Sequence, residues 1–316
     1  MPINRNHELS TPAALPQASS RQPKVIQWQV VMPKHILEDL ILASETYNQL
    51  LDVISYFQNR DLLFRQWGLA ERFASQAGLA VNLHGPPGTG KTLAAHAIIS
   101  ALEMSMICVD YAEIESKYVG ETSKNISALF KTAQEQGAAI FFDEADALLS
   151  KRVTNMTSAT DVSVNQTRSV LLNLLNNYQG VIIFATNFVQ NFDAAFLRRI
   201  KYHVHFQLPD VELREKLWQM YIPWQMPCHV DFAQLAAKYD NISGSDIASA
   251  VFTAAVQAAR FQDRLIPQSR FEQAIGNIIQ VKKANADSEI TVRKRFLTEE
   301  QAKAEFKLLA KEEIEK

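Results

Sequence analysis

The sequence predicts an α/β fold, in which helices cover both faces of a parallel sheet, followed by a smaller all-α domain. Short apolar segments of strand length alternate with helix-prone segments up to residue 206, as in a parallel sheet with crossover helices. After Pro209 the apolar residues recur almost entirely at helical spacing. The predicted strands are 79–83, 106–109, 138–142, 181–185 and 202–206.

Composition divides the chain into three parts. Residues 1–24 are polar and rich in Pro, Ser and Gln, which predicts a flexible arm with too little apolar surface to fold. Residues 25–208 begin with a helical lead-in and continue into the sheet domain. Residues 209–316 form the predicted helical domain, with helices at 211–221, 232–239, 245–261 and 271–279. A capping box at Thr298 predicts that a charged helix ends the chain.

The bulk composition is that of an ordinary globular protein. The net charge of −2 gives no general attraction to nucleic acid or to an anionic membrane surface. Cys108 and Cys228 do not have the spacing of metal ligands, so we expect reduced thiols in a cytoplasmic protein. The sequence has neither an apolar run of about 18 residues nor the apolar core of a signal peptide.

A phosphate-binding loop pattern occupies residues 85–92, where Gly85, four residues and Gly90 precede Lys91 and Thr92. Glycines there let backbone N–H groups approach phosphate oxygens, and the N-terminus of the next helix adds partial positive charge. Lys91 is expected to reach the β- and γ-phosphates of ATP, and the Thr92 hydroxyl to ligate Mg²⁺. The predicted nucleotide contacts are Pro86, Pro87, Gly88, Thr89, Gly90, Lys91, Thr92 and Leu93.

Polar residues follow two of the predicted strands, at the edge where ligands bind in open parallel sheets. Asp143 and Glu144 end the strand at 138–142, and Asn187 follows the strand at 181–185. We expect Asp143 to hold Mg²⁺ and Glu144 to orient or deprotonate the attacking water. Asn187 could hydrogen-bond that water or the γ-phosphate, although a Thr-Asn pair at a strand end is more often a simple turn.

Paired arginines, Arg198 and Arg199, follow a short apolar segment. The pair is too short for a nucleic-acid patch. It is interpretable as arginine fingers that reach the γ-phosphate bound by a neighbouring subunit, or as a surface ion pair.

Taken in order, the segments GPPGTGKT, FFDEADAL, ATN and FLRRI resemble the AAA ATPase module, and most closely the spastin and katanin type with its single-module bacterial relatives. The resemblance extends from about residue 37 to 283. It implies a homo-oligomeric, hexameric ring that binds ATP between subunits. It also implies that Asn187 is a polar sensor and that Arg198 and Arg199 act across the subunit interface.

The same resemblance suggests roles for two further segments. Tyr118 and Val119 match a loop that lines the central pore and grips an extended polypeptide, although Tyr118 could instead cap a local core. Gly244 and Ser245 match a motif near the adenine and ribose, although Ser243 or Ser245 could be an ordinary helix N-cap. The backbone of residues 39–41 is the nearest candidate for contacting adenine. The second pore loop, at 154–165, lacks the charged pattern usual in the family.

Three functions are compatible with these residues. The leading hypothesis is an ATP-hydrolysing ring that unfolds, threads or disassembles a protein substrate. A nucleic-acid motor or loader is the second, but the predicted pore loop carries only one basic residue, Lys117, and a following Glu121. A nucleotide-gated scaffold with little turnover is the third, and the presence of Glu144, Arg198 and Arg199 argues against it.

Overall fold

The computed structural model describes residues 28–73, 78–110, 121–150, 159–187 and 192–288, and these residues fall into two compact units. The first unit contains the described residues up to Leu37, Leu50–His84 and Thr92–Val204. The second contains Glu38–Gln49, Gly85–Lys91 and the described chain from His205 onward. The domain limits at residues 24 and 208 stay predictions.

A five-stranded sheet forms the centre of the first unit, and it confirms the α/β prediction. Its spatial order is β2-β3-β4-β1-β5, in which β2 with β3, β3 with β4 and β4 with β1 pair in parallel. Parallel neighbours cannot be joined by a tight turn, so helices carry the chain from one strand to the next. The strands are β1 Leu79–His84, β2 Met106–Asp110, β3 Ala139–Asp143, β4 Val181–Thr186 and β5 Tyr202–His205.

The inner strands are largely apolar and are buried on both faces, as expected for a parallel sheet covered by helices. The rings of Phe142 on β3 and Phe184 on β4 stack with their centroids 5.2 Å apart and belong to the main core. Short 3₁₀ and π-helical turns occur at Leu37–Asp39 and Leu62–Gln66. The helices are α1 Ser44–Gln58, α2 Ala70–Phe73, α3 Lys91–Ala101, α4 Glu121–Gln136, α5 Asp146–Leu149, α6 Ala159–Asn177 and α7 Ala194–Leu197.

Four helices build most of the second unit around the edge-to-face rings of Trp218 and Phe271. They are α8 Val211–Tyr221, α9 Phe232–Lys238, α10 Gly244–Phe261 and α11 Gln268–Ser288. The side chains of Asp210, Asp231 and Ser243 accept backbone N–H bonds at the starts of α8, α9 and α10, which explains where these helices begin.

The second unit also contains a parallel pair of two-residue strands, β6 Cys228–His229 and β7 Ile266–Pro267. The sequence pattern did not predict this pair, because two residues are too few to show alternation. The predicted N-terminal arm and the helix beginning at Thr298 lie outside the described residues. Within the described residues, every helix is too short or too polar to cross a membrane.

Candidate nucleotide and catalytic site

The phosphate loop joins β1 to α3 and depends on glycine at two of its positions. Gly88 has φ +75°, and a Cβ atom built there would lie 2.0 Å from the Ser245 hydroxyl oxygen. Gly85 has φ +147°, and its Cβ would lie 2.0 Å from the carbonyl oxygen of Phe206. Both positions therefore combine a backbone conformation that side chains disfavour with a close approach that only glycine permits.

Lys91 is buried inside this loop, with only 8% of the residue exposed. Its Nζ donates to the carbonyl oxygens of Gly85, at 2.8 Å, and Pro86, at 2.9 Å. The Thr89 hydroxyl also donates to the Pro86 carbonyl, at 2.8 Å. These carbonyls hold the ammonium group inside the loop, where a positive charge suits an anionic ligand.

The first turn of α10 contacts the phosphate loop at Gly88. The backbone N–H of Ser245 donates to the Gly88 carbonyl at 3.2 Å. Ser243 is the N-cap of α10 and forms a capping box with Asp246. Of the two serines that could have been the N-cap, it is therefore Ser243 and not Ser245. Gly244 lies beside the same carbonyl, since its Cβ would be 3.5 Å from the Gly88 oxygen. The sequence-predicted residues Gly244 and Ser245 thus lie beside the loop.

The metal-binding candidates Thr92 and Asp143 meet in the first unit. The Thr92 hydroxyl, in the first turn of α3, donates to Oδ2 of Asp143 at 3.0 Å. Oδ1 of Asp143 accepts the backbone N–H of Glu144, also at 3.0 Å. A hydroxyl and a carboxylate oxygen at this separation are hard ligands that suit Mg²⁺.

Glu144 is exposed and has φ 50°, which is rare for a residue with a side chain. Hydrogen bonds on both sides hold this strained turn: Glu144 N–H binds the Asp143 carboxylate, and Ala145 N–H donates to the Ala185 carbonyl at 2.9 Å. Strain maintained in this way is typical of functional sites.

Asn187 lies next to this acidic turn because Asp146 holds its backbone. Both carboxylate oxygens of Asp146 accept the Asn187 N–H, each at 3.2 Å. One residue earlier, the buried Thr186 hydroxyl donates to the Asn82 side-chain oxygen at 3.1 Å and fixes the end of β4 against β1. The structure therefore brings Asn187 to the strand edge that carries Asp143 and Glu144.

The two arginines differ in their surroundings. Arg199 donates from Nε to the Asn176 side-chain oxygen at 2.8 Å and from Nη1 to the Ala195 carbonyl at 2.9 Å. Arg198 is exposed, and its guanidinium has no hydrogen-bond or ion-pair partner among the described residues. Arg198 is thus available to a group outside its own chain, whereas Arg199 is held within it.

A cavity of about 500 Å³ borders the Thr92–Asp143 pair. Burial, with the nearby His35 and Lys34, lowers the pKa of His96 in its wall, and His96 Nδ1 accepts the Lys34 N–H at 3.1 Å. Burial and the Asp143 charge raise the pKa of the Cys108 thiol, which favours the neutral form. The remaining lining residues are Val109, Asp110, Phe141 and Glu144.

Some predicted site residues lie outside the described residues, and three residues that position the site were not predicted from the sequence. Tyr118, Val119 and the 154–158 part of the second pore loop lie outside the described residues. Sequence reasoning gave no role to Asp146, Asp246 or Asn82, which position other groups through hydrogen bonds. The acidic residue three positions after Ser243 was the signal available for Asp246, since it completes a capping box.

Residues 81–208 match the family described as "ATPase family associated with various cellular activities (AAA)". The chain carries an AAA ATPase domain. The match includes the phosphate loop and the acidic strand end from which ATP hydrolysis was predicted. The match begins within β1 and ends three residues after β5, so it contains the whole phosphate loop and both arginines.

Several curated proteins are similar to this AAA chain over most of its length. Proteasome-activating nucleotidase 1 of Halobacterium salinarum is 33% identical over 68% of the chain and 54% of that protein. The 26S proteasome regulatory subunit 8 homolog of Saccharomyces cerevisiae is 32% identical over 74% of the chain and 57% of that protein. Proteasome-activating nucleotidase 1 of Haloferax volcanii is 32% identical over 82% of the chain and 64% of that protein.

The AAA chain therefore spans between 54% and 64% of the length of these three relatives. All three relatives are named as proteasomal proteins. They support the predicted AAA family, but they do not support the narrower resemblance to spastin and katanin. Nucleotide binding follows from the family, whereas the roles of individual site residues stay predictions.

Proposed function

We propose that the chain is a subunit of an ATP-driven ring that unfolds or disassembles a protein substrate by drawing it through a central pore. The observation that carries the ATPase part is the 3.0 Å contact between Thr92 and Asp143, next to the strained turn at Glu144. The names of the relatives, which are proteasome-activating or proteasome-regulatory, support a protein substrate. Because the chain spans only part of these relatives, the substrate and the ring are inferences.

In the proposed mechanism, Lys91 and the backbone N–H groups of the loop bind the phosphates. Thr92 and Asp143 would hold Mg²⁺, which would supply positive charge to offset the negative charge that develops on the phosphates as ADP leaves. Glu144 takes a proton from the attacking water as the bond between the γ-phosphorus and the bridging oxygen breaks. Asn187 orients that water or the γ-phosphate from the neighbouring strand end.

Arg198 completes the site in a neighbouring subunit, so each subunit hydrolyses ATP only within the assembly. Its exposed guanidinium supports this role better than that of Arg199, which its own chain already holds. A homo-hexamer is the assembly we propose, and the cytoplasm is the proposed location. Gly244 and Ser245 would lie near the adenine and ribose.

Tyr118 and Val119 are the proposed substrate grip. An aromatic side chain can grip many sequences, because it contacts an extended polypeptide through apolar area and requires no particular partner group. The single Lys117 beside them does not supply the cluster of positive charge that a nucleic-acid motor needs to track phosphates.

The test measures ATP-dependent unfolding of a fluorescent protein that carries an unstructured tail, together with the ATPase rate. Tyr118→Ala should abolish unfolding while retaining basal ATPase activity, and Tyr118→Phe should retain both. Single-stranded DNA should not stimulate the ATPase. Unfolding that persists in Tyr118→Ala, or stimulation by DNA alone, would overturn the proposal.

A further inference from the structure

We propose that Lys282, on α11, is a positioning residue for the phosphate loop, and that it sets the affinity for ATP and ADP through Asp246 and Gly88. The inference rests on the proposed assignment of Gly85–Lys91 as the phosphate-binding loop. Lys282 lies far along the chain from this loop and belongs to none of the motifs identified in the sequence. All of the residues involved belong to the second unit.

The chain of contacts begins at a buried carboxylate. Asp246 is 7% exposed, and its Oδ2 accepts the Ser243 N–H at 2.7 Å and the Ser243 hydroxyl at 2.8 Å. The Nζ of Lys282 donates to the same oxygen and forms an ion pair with it. A carboxylate so far from water is costly unless it is paired and hydrogen-bonded, and Lys282 supplies the positive charge.

The contacts continue from Ser243 to the loop. The Ser243–Asp246 capping box fixes the first turn of α10, from which Ser245 N–H donates to the Gly88 carbonyl at 3.2 Å. A Cβ atom built on Gly88 would lie 2.0 Å from the Ser245 hydroxyl oxygen and 2.6 Å from the Ser243 hydroxyl oxygen. This close packing ties the position of Gly88, and of the loop N–H groups that follow it, to the position of that turn.

Removing the Lys282 charge leaves Asp246 buried without its counter-charge. The carboxylate then gains free energy by moving toward water, which shifts Ser243 and Ser245 and loosens the loop. A looser loop must be ordered when phosphate binds, so affinity falls. Thr92, Asp143 and Glu144 make none of these contacts, so turnover at saturating ATP is retained.

The experiment compares Lys282→Met with Lys282→Arg by steady-state ATPase kinetics and by equilibrium binding of ADP. In Lys282→Met we expect KM for ATP and Kd for ADP to rise about five- to tenfold, a common size for coupling between sites. The kcat should stay within about twofold, and Lys282→Arg should restore both affinities because it keeps the charge. A general loss of folded protein would instead lower kcat and leave KM unchanged.

The matched control is Lys238→Met. Lys238 forms an ion pair with Glu272 at 2.7 Å, so it also links a helix of this unit to α11, but the pair does not touch Ser243 or Asp246. Its KM should be that of the native protein. An unchanged KM in Lys282→Met, or an equal rise in Lys238→Met, would overturn the inference.

A second variant covers the case in which Lys282→Met does not fold. Asp246→Asn keeps a capping side chain but removes the buried charge, so the double variant Lys282→Met with Asp246→Asn should fold and have a KM near the native value. A KM raised about five- to tenfold in this double variant would overturn the inference. Lys91→Ala separates this inference from the one on which it rests. Loss of nucleotide binding in Lys91→Ala with native affinity in Lys282→Met rejects only the role of Lys282. Native binding in Lys91→Ala rejects the loop assignment itself.

Discussion

The Thr92 hydroxyl and the Asp143 carboxylate lie 3.0 Å apart, although 51 residues separate them in the chain. The fold explains this proximity, since Thr92 is in the first turn of the helix after β1 and Asp143 ends β3. Because β1 and β3 end at the same edge of the parallel sheet, the residues at and just after these ends bring both oxygens together. This contact is the geometry on which the proposed Mg²⁺ site rests.

This pair predicts the effect of changing Thr92. Thr92→Val keeps the shape of the side chain but removes the hydroxyl. We expect the Mg²⁺ concentration for half-maximal ATPase activity to rise roughly tenfold or more, because the loss of even an outer-shell group typically lowers metal affinity by that factor. Thr92→Ser keeps the hydroxyl and is the matched control. Magnesium titrations of the ATPase rate measure the effect, and equal midpoints in Val and Ser variants would refute the role.

Glu144→Gln should separate nucleotide binding from hydrolysis. The glutamine cannot accept a proton, so we expect kcat to fall by about 10²- to 10⁴-fold, the range for general base catalysis. Affinity for ATP should remain within a few-fold, because Glu144 N–H still binds the Asp143 carboxylate. Single-turnover hydrolysis and equilibrium titration with ATP measure the two quantities. Native turnover would exclude Glu144 as the base.

Gly88→Ala should weaken nucleotide binding for a steric reason that can be partly reversed. The new Cβ would meet the Ser245 hydroxyl oxygen at 2.0 Å and the Ser245 Cβ at 2.9 Å, at a φ of +75°. Adding Ser245→Gly removes both atoms, so the double variant should bind ATP more tightly than Gly88→Ala alone. The residual defect has two sources. The Ser243 hydroxyl oxygen would still lie 2.6 Å from the new Cβ, and the left-handed backbone costs a residue with a side chain about 1–2 kcal/mol. Calorimetric titration with ATP tests this order, and identical affinities in the two variants would contradict it.

Much of the fold was predictable because its signals are local. The inner strands β1, β3 and β4 are short, largely apolar and mostly buried, and helical periodicity marks α8 and α10. The phosphate loop was predictable because glycine, lysine and threonine must have that spacing along the chain. The strained turn at Glu144 had no signal of its own, since its φ depends on the Ala145–Ala185 hydrogen bond with another strand.

The contacts of Gly88, of Asp246 and of the two arginines were harder to predict, because they join residues that are distant in sequence. Nothing near Gly88 indicates that Ser245 will donate to it, and nothing near Asp246 indicates Lys282, which is 36 residues away. Arg198 and Arg199 are adjacent and chemically identical, so only the structure distinguishes the exposed residue from the one held by Asn176.

The difference between these arginines predicts complementation between subunits. Arg198→Ala should lower kcat by about 10³- to 10⁵-fold, as for other arginine fingers, with ATP affinity retained. Mixing it with Lys91→Ala should restore part of the ATPase activity, because Arg198 of the Lys91→Ala subunit can reach ATP bound by its neighbour. Native mass spectrometry establishes that mixed assemblies form. If they form and remain inactive at every ratio, Arg198 does not act between subunits.

Lys201 predicts a pH dependence of stability. Burial, with the nearby Arg60 charge, lowers the pKa of Lys201 from 10.5 to about 8, and its Nζ lies 4.4 Å from the centre of the Tyr56 ring. From about pH 8 to 10.5 the unfolded chain binds more protons at this lysine than the folded protein does. The contribution of Lys201 to the free energy of unfolding therefore rises with pH across this window.

The measurement is urea unfolding of the native protein and of Lys201→Met, at intervals from about pH 7.5 to 9.5, within the window set by linkage. The free energy of unfolding of the native protein should increase relative to Lys201→Met as the pH rises. Staying below pH 10 avoids ionisation of Tyr56 and Tyr202, whose pKa values burial raises from 10.0 and whose loss of protons would destabilise the fold. Lys216→Met, on an exposed position of α8, is the control and should show no such trend. A constant difference between the native protein and Lys201→Met would mean that Lys201 titrates alike in the folded and unfolded chains.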